Sequence, residues 1–185
     1  MTVNDIMNAC NFTLVTYGPH AGKVKITAKP SAEGKRVYDE IARGRWKAEV
    51  AEIKARLIAE HDSKVKAAAE RKAKIDAIDG LAEIYAAIND EIRYRREFNA
   101  MMDDEDNDGA RPPKRPAVNV ADLEAKYPRA AAYVKAEDYS LSGNHAKSSA
   151  GQKALEKIIN GDDYAAALNE MEAEWSAYCD AHMWD

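Results

Sequence analysis

One long apolar stripe constrains this chain more than any other feature. Trp46, Val50, Ile53, Leu57, Ile58, Val65, Ala68, Lys72, Ile75 and Ile78 recur at separations of mostly three, four and seven residues. That spacing places side chains on one side of an α-helix. Continuous from 46 to 78, the helix would span about 50 Å. Between His61 and Ala69 the stripe thins to Lys, Glu and Ala, so this segment is expected to stand exposed on most sides. Asp79-Gly80 is a stop signal. Beyond it Leu81, Ile84, Tyr85, Ile88, Ile92, Phe98 and Met102 continue as a second helix. Two helices joined so tightly are expected to fold back as a long antiparallel helical hairpin. The alternative is a nearly continuous rod that pairs as a coiled coil with a second copy, giving a homodimer.

Before the stripe, FTLVTY and KVKITAK are rich in β-branched and aromatic residues and flank GPHAG, a β-hairpin pattern with a longer loop. Ser31 is placed to cap a helix beginning at Ala32. Gly44, within ARGRW, is placed to break it. After residue 117 the pattern shortens. VADLEAKY, PRAAAYVKAEDY and AKSSAGQKALEKIIN read as helices separated by Tyr127-Pro128 and SLSGN. Asn160-Gly161 stops the third, and Asp162 is placed to cap a last helix carrying Tyr164, Leu168, Met171, Trp175 and Tyr178. Tyr133, Leu155, Ile158, Ile159, Leu168, Met171 and Trp175 can close a small core. The fold class is therefore mainly α with one N-terminal β-hairpin (α+β): a long helical hairpin followed by a small C-terminal helical bundle. The expected divisions are 1–102, an acidic and Pro-rich linker at 103–117, and a C-terminal helical domain at 118–185.

The linker, DDEDNDGARPPKRP, raises a metal question. Asp104, Asp106 and Asp108 alternate ahead of Gly109, as in the first half of a calcium loop. The closing carboxylate at the twelfth position is replaced by Arg115, a cation. Pro112, Pro113 and Pro116 each remove an N–H donor. Calcium is therefore not expected there. The linker also marks a charge switch. Residues 1–102 hold 18 Lys+Arg against 15 Asp+Glu, a balance of +3, whereas residues 103–185 hold 9 against 17, a balance of −8.

Little else points to chemistry. Cys10 and Cys179 have no metal-type spacing, and Cys179 with His182 supplies two of the roughly four ligands a zinc site needs. GPHAGK lacks the spacing of a phosphate loop, and no G-x-S-x-G frames a nucleophile. No catalytic, cofactor or metal residue is assigned, and the expectation is a protein that is not an enzyme. MTVNDIMNACNF lacks the basic and apolar segments of a secretory signal. No stretch reaches the roughly 20 apolar residues of a membrane span. A cytoplasmic protein with no membrane contact is expected.

Two segments are candidate partner sites. In EIRYRREF, Arg93, Arg95 and Arg96 can meet phosphates and Tyr94 can stack. Arg93 and Arg96 share a helix face; Tyr94 and Phe98 lie partly on another. Glu91 and Glu97 offer the arginines intrahelical partners, the blander explanation of the cluster. In DDEDND, Asp104, Asp106 and Asp108 can occupy a basic channel by Coulomb attraction, in the manner of a phosphate strand. The blander explanation is a solvated acidic linker.

The C-terminal stretch KYPRAAAYVKAEDYSLSGNHAKSSAGQKALEKIINGDDYAAALNEMEAEWSAYCDAHMWD resembles a helical module of small accessory proteins of phages and integrative mobile elements, some of which are anti-CRISPR inhibitors. The resemblance implies a mobile-element origin and a protein partner such as a host nuclease or its nucleic-acid complex. The function expected is a non-enzymatic interaction protein, an inhibitor of a host protein. Two alternatives stand beside it: a nucleic-acid-binding accessory protein using the basic N-terminal helices, and a small enzyme with an unrecognised site.

Overall fold

A computed structural model describes residues 1–103 and 111–182. The fold is mainly α with a small β-hairpin. Its elements, in chain order, are α1 (Val3–Ala9), β1 (Cys10–Leu14), β2 (Val24–Ala28), α2 (Ala32–Ala42), α3 (Lys47–Asp76), α4 (Leu81–Asp103), α5 (Val120–Lys126), α6 (Pro128–Ser140), α7 (His145–Asn160) and α8 (Tyr164–His182). Contacts divide the chain into two compact units, Met1–Glu70 and Arg71–Asp185. The division falls within α3, not at 103–117 as the composition shift implies. Consequently α4 belongs with the C-terminal helices.

The first unit opens on a helix that the apolar pattern does not announce. Thr2 caps α1, accepting from the Asp5 N–H at 3.2 Å while the Asp5 carboxylate accepts from the Thr2 N–H at 2.8 Å. This reciprocal pair satisfies two backbone donors that a helix start otherwise leaves open. The hairpin pairs antiparallel with Phe12 opposite Ile26 and Leu14 opposite Val24, so the four apolar side chains share one face. That face meets α2, with Ala9, Cys10 and Val37 buried and Phe12, Ile26, Ile41 and Trp46 packed beside them. Ser31 caps α2 as its sequence indicates, accepting from the Gly34 N–H at 2.9 Å. The break at ARGRW is a left-handed turn: Gly44 has φ +87 and Trp46 φ +53. A non-glycine residue there costs about 1–3 kcal/mol, offset by packing the indole on the hairpin and α2.

Residues 62 to 74 of α3 are exposed without exception. This matches the thinned stripe, and here helix propensity and neighbouring charges carry the helix. Lys66 and Glu70 lie 3.9 Å apart and Lys72 and Asp76 2.5 Å apart, both at i,i+4. Such pairs add roughly 0.2–0.5 kcal/mol each.

The second unit is a helical bundle. Its core joins Ile78, Leu81 and Ile84 to Tyr133, Leu155, Ile158, Ile159 and Met171, with alanines at 130, 132, 136, 150, 154 and 167 between them. Within the second unit the stripe on α4 is covered by α5 and α6. Leu168 and Trp175, expected in the core, are half-buried. The last helix starts one residue later than its capping signal implied. Asp163, not Asp162, accepts from the N–H groups of Ala165 and Ala166, at 2.9 and 3.2 Å. On the outer surface Lys153 meets Glu174 at 2.9 Å, and Lys157 pairs with Glu170. These exposed pairs hold the register of α7 against α8 at about 0.2–1 kcal/mol each.

The turn from α3 into α4 depends on Gly80. Its φ is +75, and a Cβ built there would sit 2.5 Å from Cδ1 of the Tyr127 ring. Gly80→Ala therefore meets two penalties, a left-handed backbone and a ring that must move. Thermal unfolding should show a loss of about 2 kcal/mol or more, since left-handed strain alone costs about 1–2 kcal/mol. Pairing Gly80→Ala with Tyr127→Ala removes the clash and should leave the backbone term.

Candidate functional site

Helix α4 carries two different surfaces. Its buried side is set by Leu81, Ile84 and Ala87, which follow one another at three-residue steps. One and two turns further on, Ile88 is half-buried and Ile92 is 43% exposed. The apolar stripe thus runs past the end of its cover. Two cavities flank these residues. One, of about 510 Å³, lies between α4 and α5 and is lined by Ile88, Ile92, Val120 and Ala121, with Glu91, Arg95 and Glu124 at its edge. The other, of about 810 Å³, lies between α6 and α8 and is lined by Ala131, Val134, Tyr164 and Leu168, with Lys135, Asp138 and Glu172 at its edge. Ile88 and Glu124 line both, so the cavities form one groove with an apolar floor.

The basic cluster lies beside this groove. Arg95 lines the first cavity and donates through Nε to Glu91 at 2.8 Å. Arg93 pairs with Asp90 at 2.9 Å. Arg96 is exposed and has no carboxylate partner among the described residues. The rings of Tyr94 and Phe98 lie 6.0 Å apart, tilted by 32°, and both are half-buried. Tyr94 is thus turned towards Phe98, and its hydroxyl accepts a long hydrogen bond, 3.4 Å, from Arg115 Nε. The helix brings Arg93 and Arg96 to one side as its spacing requires, while Arg95 faces the groove. Glu91 takes the intrahelical role foreseen for it, and Asp90 takes the one foreseen for Glu97. Asp104, Asp106 and Asp108 lie outside the described residues.

Sequence reasoning missed most of the groove. Ile88 and Ile92 read as ordinary core positions, and nothing in a periodic stripe marks where its cover stops. Val120, Val134, Tyr164 and Leu168 come from three further helices. No local pattern brings them together.

A second polar feature sits inside the unit. The Tyr85 hydroxyl donates to Glu137 across the α4–α6 contact. Burial, and then this bond to a carboxylate, push the Tyr85 phenol well above its ordinary range. The sign of the linkage follows. A phenol with a raised folded-state pKa contributes fully below about pH 10, where the unfolded phenol begins to ionise. That contribution is lost as pH climbs further. Alkaline titration followed at 295 nm should show Tyr85 ionising only as the second unit unfolds. Tyr85→Phe should remove that late step and flatten the fall of stability above about pH 10. A Tyr85 step that titrates with the exposed tyrosines would contradict the half-buried pairing.

At the far end of α8, Trp175 stacks on Tyr178 at 5.6 Å and Tyr178 on His182 at 4.2 Å. His182 Nδ1 lies 2.8 Å from the Tyr178 carbonyl. Lys147 Nζ sits 4.4 Å from the centre of the Tyr139 ring. Cys179 is half-buried one residue beyond Tyr178. Among the described helices none is long and apolar enough to cross a membrane. No family model, no curated protein and no solved structure matches the chain.

Proposed function

We propose that this chain is a non-enzymatic binding protein acting in the cytoplasm, and that its second unit engages a protein partner. The observation that carries the reading is the groove along α4: an apolar floor left open where the stripe outruns its cover. Solvent-facing apolar surface of this kind is a mark of interaction sites. The C-terminal resemblance narrows the proposal to an inhibitor carried by a phage or integrative element, with a host protein such as a CRISPR effector nuclease as its target. The test is affinity capture of the tagged full chain from host extract, with and without nuclease treatment, followed by identification of what is bound. A host nuclease retained after nuclease treatment supports the reading. Recovery of nucleic acid with no protein refutes it.

A second reading is favoured by the outer face of α4. Arg93 and Arg96 are exposed there, and the Arg93–Asp90 pair is of the kind worth little in water. On this reading the chain holds nucleic acid. Affinity for duplex DNA should then fall steeply with salt as counterions are released. Replacing Arg93, Arg95 and Arg96 by Gln should lower the salt slope together with the affinity. The net charge of −5 opposes long-range attraction of a polyanion, so the protein partner is preferred.

A further inference from the structure

We propose that the groove on the second unit is the docking site for a basic amphipathic helix presented by a protein partner. The proposal rests on the protein-binding reading above and names the chemistry of the partner. The floor is apolar and contributed by separate helices: Ile88 and Ile92 from α4, Val120 from α5, Val134 from α6, Leu168 from α8. A trough walled by helices accepts another helix through anchors spaced i, i+3, i+4 and i+7.

The rim selects the sign of the charge beside those anchors. Of its acids, Glu91 is paired with Arg95 and Glu172 with Lys135, so these four side chains cancel. Glu124 and Asp138 remain, with no basic partner among the described residues. The described residues of the same unit, 71–103 and 111–182, share the sign: they hold 15 Lys+Arg against 18 Asp+Glu, a balance of −3. Lys or Arg residues flanking an apolar stripe would meet this rim favourably. An acidic helix, an anionic membrane or a nucleic acid would be repelled by it.

The probe is a fluorescein-labelled peptide of about 18 residues, built from Leu and Lys with Leu on one helical side, titrated with the full chain and read by fluorescence anisotropy. Its controls are a scrambled peptide of the same composition and a Leu/Glu counterpart. Two variants test the groove. Ile92→Asp polarises its most exposed floor residue, and the pair Glu124→Lys with Asp138→Lys reverses the rim without touching the core. Saturable binding of the Leu/Lys peptide alone is expected, weakened by at least about tenfold in both variants while their circular dichroism and melting stay as in the wild type. Equal binding in the charge-reversed chain, or equal binding of the scrambled peptide, overturns the proposal. So does co-sedimentation with phosphatidylserine vesicles that Ile92→Asp abolishes. A concentration-dependent dimer abolished by Ile92→Asp would assign the groove to a second copy and overturn it equally. Host-extract capture separates the two levels. The same proteins bound by wild type and Ile92→Asp would sink the groove and spare protein binding. Peptide binding at the groove with no host protein captured would do the reverse.

Discussion

Gly151→Val is expected to lower the stability of the second unit by about 3 kcal/mol, the upper part of the range for overpacking a close contact. Gly151 lies on α7 where that helix crosses the end of α6. A Cβ built on it would meet the Ser140 amide nitrogen and would sit 2.8 Å from the Ala136 carbonyl oxygen. Both are backbone atoms in a helix, so neither can swing aside as a side-chain end would. The contact is fastened nearby by the Ser148 hydroxyl, which donates to the Ser140 carbonyl at 2.6 Å. Gly151→Ala tests the balance more finely. Alanine improves helix propensity by about 0.8–1.0 kcal/mol. The clash is expected to outweigh that gain, because relieving it must separate two helices and open the alanine-lined seam between them. Gly143→Ala is the control: a Cβ there meets nothing within 4 Å. Urea denaturation of the three variants checks the order, with Gly143→Ala near wild type and Gly151→Val lowest. Gly151→Ala more stable than wild type would mean that α6 and α7 lie further apart than described.

The seam explains part of what the sequence could not disclose. Ala132, Ala136, Ala150 and Ala154 are all buried, yet alanine is common on exposed helix surfaces, so its burial leaves no mark in a hydropathy pattern. Large residues do leave one. Tyr133, Leu155, Ile158, Ile159 and Met171 read correctly as core because removing them from water dominates their placement. Punctuation was legible for a similar local reason. Ser31, Asp79-Gly80, Tyr127-Pro128 and Asn160-Gly161 act on backbone within a few residues of themselves. The first helix was not read from the sequence: its seven residues are too few to display a period, and its Thr2 and Asp5 capping pair emerges only in the structure. The arginine cluster was visible as a cluster, and its intrahelical pairing follows from three- and four-residue spacing. The groove was not visible, because an uncovered floor differs from a covered one only in what other helices do.

The choice of cover for α4 is the point at which periodicity gave a face without giving a partner, and Ile84→Ala tests the partner. Ile84 is fully buried within the cluster that joins α4 to the C-terminal helices. Truncating a buried isoleucine to alanine removes its transfer free energy and leaves a cavity, together about 2–5 kcal/mol. The loss should therefore fall on the unit comprising 71–185. Hydrogen exchange should show reduced protection in α6 and α7, with α1, β1, β2 and α2 unchanged. A helical hairpin closed by α3 predicts the other outcome, a loss spreading into α3 with α7 untouched. Ile92→Ala supplies the contrast within the same helix. Two turns along the stripe, at 43% exposure, it gives up little burial and should cost under about 1 kcal/mol, since the loss scales with the apolar area that leaves water. A large effect at Ile84 beside a small one at Ile92 would locate the edge of the core between them, and with it the start of the open groove. Comparable large effects at both positions would mean that something within the chain itself covers the groove.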